Sequence, residues 1–117
     1  MEFRQRDVIF LVDKFNNNPQ EHPYIVLSCY DAIIHEGLFT AVMLTSSDKY
    51  DDLYSFHLTE NMFTRSILRE RQQVRLHIIA SFRSRQVVSP PVSRMKTEVF
   101  KRLLKEINEI IFGLDED

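Results

Sequence analysis

The sequence predicts a mainly β fold, a small antiparallel barrel or rolled sheet with one amphipathic helix packed against it. Three observations carry this reading. Five or six short runs rich in β-formers follow one another without the strand–helix alternation of a parallel sheet. Only the last element, ending near Leu114, keeps its apolar residues at helical spacing over several turns. The chain of 117 residues, 44% hydrophobic and 27% charged, suits a single domain over residues 1–117 that buries one core without disulfides or structural metal.

Asp7–Val12 is a short apolar run and reads as a first strand buried on both faces. Residues 13–23 turn polar, with Asn16-Asn17-Asn18-Pro19 and a second proline at Pro23, and read as a loop. Residues 24–28 make the second strand, which Pro23 can open because it has no N–H to give a ladder. Residues 28–36 form one helical turn before Gly37 breaks it, with Asp31 as a candidate cap. Residues 38–44 are the third strand and run into the hydroxyl-rich turn Thr45-Ser46-Ser47-Asp48.

In residues 54–58, Tyr54, Phe56 and Leu58 alternate with Ser55 and His57, a fourth strand with one wet face. Residues 62–71 are an irregular connection, and residues 73–79 the fifth strand. Residues 80–85 alternate poorly, and residues 86–89 form a brief sixth strand before Pro90-Pro91. The closing helix buries Val99, Leu103, Leu104, Ile107, Ile110, Ile111 and Leu114. Thr97 or Ser93 caps its start, and Gly113 supplies a left-handed stop.

The fifth strand carries the candidate chemistry. Its alternation sends Val74, Leu76 and Ile78 to one face and Arg75 and His77 together to the other, their Cα atoms about 6.6 Å apart. A fixed cation beside a titratable imidazole on a rigid strand can hold and deprotonate an anionic substrate. The alternative is a half-buried strand whose outer face is merely solvated.

Charge is unevenly placed along the chain. Of 15 Lys/Arg and 17 Asp/Glu, the stretch from Arg65 to Lys105 holds 11 and 2, leaving 4 and 15 elsewhere, so +9 and −11 combine to the net −2. Such asymmetry predicts a basic face, the electrostatic footprint of nucleic-acid binding and equally a dock for an acidic protein segment. Arg71 and Arg83 are candidate RNA contacts from this stretch.

Other classes are excluded. No His/Cys/Asp/Glu spacing resembles a zinc or calcium site, and with 2 glycines the chain has no Gly-rich phosphate loop or nucleophile elbow. No cofactor is expected. The lone Cys29 cannot form an internal disulfide and suits a reducing cytoplasm. The charged N-terminal residues lack a signal-peptide core, and no apolar run approaches the roughly 18 residues of a membrane span.

The order of these pieces, roughly Asp7 to Leu114, resembles the PemK/MazF family of bacterial toxins, sequence-specific endoribonucleases. Asp7-Val8-Ile9-Phe10-Leu11-Val12 is similar to the family's first strand, and His22-Pro23-Tyr24-Ile25-Val26-Leu27-Ser28 to its Arg-Pro followed by an apolar strand. Met43-Leu44-Thr45-Ser46 looks like its strand ending in Thr-Ser, and Val74-Arg75-Leu76-His77 like its Val-Arg-x-Asp. Arg94-Met95-Lys96-Thr97-Glu98-Val99 opens a closing helix like the family's own.

The resemblance implies an SH3-like barrel that forms a homodimer, with RNA in a basic groove that antitoxin tails also occupy. It implies cleavage without metal, a strand acid deprotonating the ribose 2′-hydroxyl while an arginine acts at the phosphate. Carried over by position, Arg75 is that arginine, His77 stands where the family has Asp, and Thr45, Ser46 and His22 are RNA contacts. His22 replaces an arginine, a weaker substitute for its bidentate fork, and Arg6 replaces the glycine before the first Asp. Imidazole can serve as a general base near neutral pH. The expected function is a metal-independent endoribonuclease toxin of a toxin–antitoxin system. The alternative is a non-catalytic module of the same fold that binds nucleic acid or an antitoxin peptide.

Overall fold

A computed structural model describes residues 2–12, 19–47, 50–67 and 73–116. Six strands form one antiparallel sheet: β1 (Asp7–Val12), β2 (Glu21–Val26), β3 (Leu38–Thr45), β4 (Ser55–His57), β5 (Gln73–Arg83) and β6 (Ser93–Arg94). Their order across it is β4-β5-β3-β2-β1-β6, and the sheet curls into a half barrel. Helix α1 (Tyr30–Glu36) links β2 to β3, and α2 (Thr97–Glu106) continues into a wider π turn, Ile107–Ile111. The mainly β fold with a C-terminal helix is the predicted one.

The two sheet faces build two cores. On one, Val8, Ile25, Val42, Leu44, Phe56, Val74 and Leu76 pack under Phe100, Leu103 and Ile107 of the C-terminal helix. On the other, Ile9, Leu11, Tyr24, Val26, Phe39, Ala41 and Phe82 pack under Ile33 of α1 and Phe3. Strands buried on both faces need the nearly continuous apolar runs this sequence has in β1, β2 and β3.

Several expected boundaries move, for identifiable reasons. Residues 13–18 of the expected 13–23 loop lie outside the described residues, but β2 already begins at Glu21, with Pro23 opposite Phe10 of β1. The β2–β3 ladder starts only at Tyr24–Met43, just after the residue that has no N–H to contribute. Cys29, not Asp31, occupies the cap position of α1, and it is exposed. Gly37 ends that helix at φ 68°, as expected, and its N–H returns to the Ile33 carbonyl.

The expected strand over 86–89 is replaced by a 3₁₀ turn over Ser84–Gln86, and the sixth strand lies beyond the prolines, pairing Asp7 with Arg94. In the C-terminal helix Lys96 is the cap residue, Thr97 is already helical, and Ser93 is in β6. Leu104 and Leu114 of the expected stripe are exposed, while Phe100 takes a core position. Gly113 has no positive φ. A Cβ there would run into the backbone carbonyl of Glu109, so close approach explains the glycine. The one described non-glycine with positive φ is Arg6, at 77°. A glycine would hold that conformation without strain, and an L-residue there costs about 1–2 kcal/mol.

β5 is longer than expected, eleven residues, and it is irregular. Opposite it, Val42 pairs with Ile79 and Leu44 with Val74, so two steps along β3 face five along β5. Val74 and Leu76 point into the helix-side core, but the next side chain there is Ile79, not Ile78. The surplus residues switch the alternation, which is why residues 80–85 carry no clean pattern in sequence. Such bulges bend a strand and recur beside functional sites.

Candidate active site

Because Val74 and Leu76 enter the helix-side core, Gln73, Arg75 and His77 emerge on the opposite face, beyond the edge of the α1-side core. Cross-strand register adds neighbours. Gln73 lies between Thr45 of β3 and His57 of β4, and Arg75 faces Ser55. By strand alternation from Tyr24, His22 lies on the same face of the sheet as Met43 and Thr45. The half-buried His22 and Thr45, the buried Arg75 and the exposed His77 thus share one face of the sheet.

The Arg75 guanidinium is the centre of this cluster and is heavily engaged. Nη1 donates to Asp52 Oδ1 at 3.0 Å, to Ser55 Oγ at 2.8 Å and to Gln73 Oε1 at 3.2 Å, while Nη2 donates to Asp52 Oδ2 at 3.2 Å. Its Cζ lies 4.3 Å from the centre of the Tyr50 ring. The arginine side chain is only 6% exposed, its partner Asp52 47%. Two parallel N–H···O bonds to one carboxylate are the fork geometry that arginine also offers a phosphate.

Asp52 is itself positioned by the chain around it, accepting from the Tyr54 N–H at 3.0 Å and the Ser55 hydroxyl at 3.3 Å. Hydrogen bonding from Arg75 holds its carboxyl below the usual range against partial desolvation, helped by the Tyr54 N–H, the Arg75 charge and Ser55. Gln73, fully buried, donates to the carbonyls of Ser47 and Tyr50 and fastens the approach to this turn onto β5. Thr45 Oγ1 accepts the Ser47 N–H at 3.2 Å.

His77 is exposed and stacks at 4.8 Å against the Tyr54 ring, with the planes 53° apart. Nearby on β4, His57 Nε2 sits 3.3 Å from Asp51 Oδ1, both largely exposed. Ser46 is exposed at the end of β3. Arg71 lies outside the described residues. Arg83 is on β5 but at its far end, opposite Leu38 and beside Glu36, Gly37 and Arg85, so it does not join the cluster. The other described cations do not form one face either. Arg94 lies on the opposite sheet edge against Asp7, and Lys101, Arg102 and Lys105 ride on the helix across the sheet.

Sequence reasoning missed Tyr50, Asp52, Ser55 and Gln73 as parts of the site. Gln73 was findable from strand parity, since it alternates in phase with Arg75, and Ser55 shares the wet face of its strand with His57. Asp52 was not, because only the folded turn after β3 brings it to Arg75. Among the described residues no three His, Cys, Asp or Glu side chains gather as a metal cluster.

A six-stranded curled sheet with this helix placement has solved counterparts. The MazE–MazF complex from Deinococcus radiodurans (Form-III) matches with TM-score 0.74 at 16% identity, over 97% of this chain and 98% of its own. MazF of the same organism (Form-I) matches with TM-score 0.74 at 16% identity, over 96% and 97%. This is the MazF fold. An endoribonuclease in complex with its cognate antitoxin, from a mycobacterial species, shares it at TM-score 0.74 and 10% identity, over 99% of this chain and 100% of the other. No protein-family model and no curated protein matches the sequence, and at these identities the likeness to MazF is one of fold.

Proposed function

We propose that the protein is a metal-independent endoribonuclease of the MazF kind, acting on single-stranded RNA and held in check by an antitoxin. The observation that carries this is that Arg75 and His77 share one face of β5, next along the strand from the Gln73–Thr45 pair, within a MazF fold. In the proposed reaction His77 takes the proton of a ribose 2′-hydroxyl. The 2′-oxygen attacks the adjacent phosphorus, and the 5′-oxygen leaves and takes up a proton from water. Arg75 neutralises charge building on the phosphoryl oxygens. Thr45, Ser46 and His22 contact the backbone beside it, and Arg71 extends that contact. In this reading the protein acts as a homodimer, with the groove between copies. No helix among the described residues is long and apolar enough to cross a membrane, and a cytoplasmic location is part of the same proposal.

The second reading is a module of this fold that binds RNA or an acidic peptide without cleaving. The engagement of Arg75 by Asp52 favours it, since a cation already neutralised is a poor catalyst as it stands. One assay separates the two. The purified protein is incubated with mixed single-stranded RNA in a metal chelator, and the ends are characterised. New 2′,3′-cyclic phosphate and 5′-hydroxyl ends, abolished in His77→Ala, support the nuclease. Retention of uncut RNA supports the binding module, and neither cutting nor retention at low salt removes the nuclease and the RNA-binding module, leaving the acidic-peptide dock.

A further inference from the structure

We infer that Asp52 is an internal occupant of the substrate-phosphate position on Arg75, so that the free protein blocks its own site. The inference rests on the proposed role of Arg75 at the phosphate and adds how that role is regulated.

Three features point the same way. First, the carboxylate meets the guanidinium through both of its oxygens, at 3.0 and 3.2 Å, as two oxygens of a phosphodiester would. Second, Arg75 is almost wholly covered, the Tyr50 ring lying over its plane and Gln73 and Ser55 taking further bonds from Nη1. An RNA phosphate cannot reach this guanidinium while Asp52 and Tyr50 stay where they are. Third, the covering groups are not core residues. Asp52 and Tyr50 are exposed, and the described turn that carries them is held by a few polar bonds to β5. Neither Tyr50 nor Asp52 belongs to either core cluster. By contrast His77, two residues along the strand, is already open to solvent, so the block falls on the cation and not on the base.

The two partners are unevenly covered, the Asp52 carboxylate about half exposed and the Arg75 guanidinium nearly enclosed, so the acid is the one with a path to water. The arrangement exchanges one anion for another. An incoming phosphate replaces the Asp52 carboxylate, which returns to water.

Asp52→Asn tests this directly, because the amide keeps an oxygen for the Tyr54 N–H while losing the charge. Binding is measured with a non-cleavable 2′-O-methyl oligoribonucleotide, and cleavage with the unmodified strand, for wild type, Asp52→Asn, Arg75→Ala and the double variant. The block predicts about tenfold tighter binding and faster cleavage in Asp52→Asn, with no gain over Arg75→Ala in the double variant. Unchanged or weaker binding in Asp52→Asn, with Arg75→Ala weaker than wild type, overturns the block but leaves Arg75 as a phosphate contact. Arg75→Ala binding as well as wild type overturns the underlying reading as well. Should Asp52→Asn fail to fold by circular dichroism, Asp52→Ser, which also leaves an oxygen at the turn, takes its place under the same criteria.

Discussion

The Tyr54 ring packs 4.8 Å from the His77 imidazole, on the strand next to Arg75 but outside its hydrogen-bond network. The His77 imidazole therefore rests against an aromatic ring, and among the described residues it makes no side-chain hydrogen bond. His77→Ala should leave thermal unfolding nearly unchanged, as exposed substitutions do, and lower RNA cleavage by about two orders of magnitude or more. His77→Asp, which places a carboxylate at that position, should keep part of the activity. A parallel comparison of melting curves and initial rates checks both statements, and equal rates in wild type and His77→Ala would take the imidazole out of the mechanism.

Arg75→Ala should behave differently. The side chain is enclosed and satisfies Gln73, Ser55 and Asp52 at once. Its removal should lower stability as well as turnover. Arg75→Lys should recover little of either, since a single ammonium cannot span both carboxylate oxygens or both phosphoryl oxygens. Melting temperature and turnover falling together in both variants is the expected result.

The Arg75–Asp52 contact sets a pH dependence whose sign is fixed. Arg75, Tyr54 and Ser55 hold the Asp52 carboxyl below its ordinary value. A carboxylate with a lowered folded-state pKa stabilises the fold above its unfolded pKa, and loses that contribution as pH falls through the folded value. The gap in melting temperature between wild type and Asp52→Asn should be full at neutral pH, persist down to the usual carboxylate range, and close only below it. The two unfolding series against pH check this, and a gap that closes near neutrality contradicts it.

RNA binding should weaken steeply with salt, by counterion release. The fold sharpens which cations matter. Lys105 is on the helix, across the sheet from Thr45 and Arg75, so Lys105→Ala should leave affinity close to wild type. Arg83→Ala, at the far end of β5, should do the same. Oligoribonucleotide titrations at several salt concentrations give both answers.

The helix-side core offers a stability test independent of function. Leu103 is fully buried between α2 and the sheet. Leu103→Ala should cost about 2–5 kcal/mol, with the spread set by how far the site can collapse. Chemical denaturation measures it.

Much of this molecule was legible in its sequence because burial leaves periodic traces. β1, β3 and the C-terminal helix are apolar where the cores require it, and Gly37 falls where a left-handed stop is needed. The pairing of Arg75 and His77 on one face followed from strand parity alone. What escaped depended on irregularity or on tertiary contact. The surplus residues of β5 broke the alternation after His77, hiding four more residues of strand. Proline at position 23 suggested a loop, although the β1 side of the ladder tolerates it. A sixth strand of two residues leaves no period to read. The capture of Arg75 by an acid 23 residues earlier is a product of the folded turn, and no local pattern announces it.

β4 and β6, the two borders of the sheet, are three and two residues long. Along β4 or β6 itself an extended peptide would find at most a pair or two of main-chain bonds. A compact molecule presenting two coplanar oxygens to Arg75 would instead compete for a contact the protein already makes with itself.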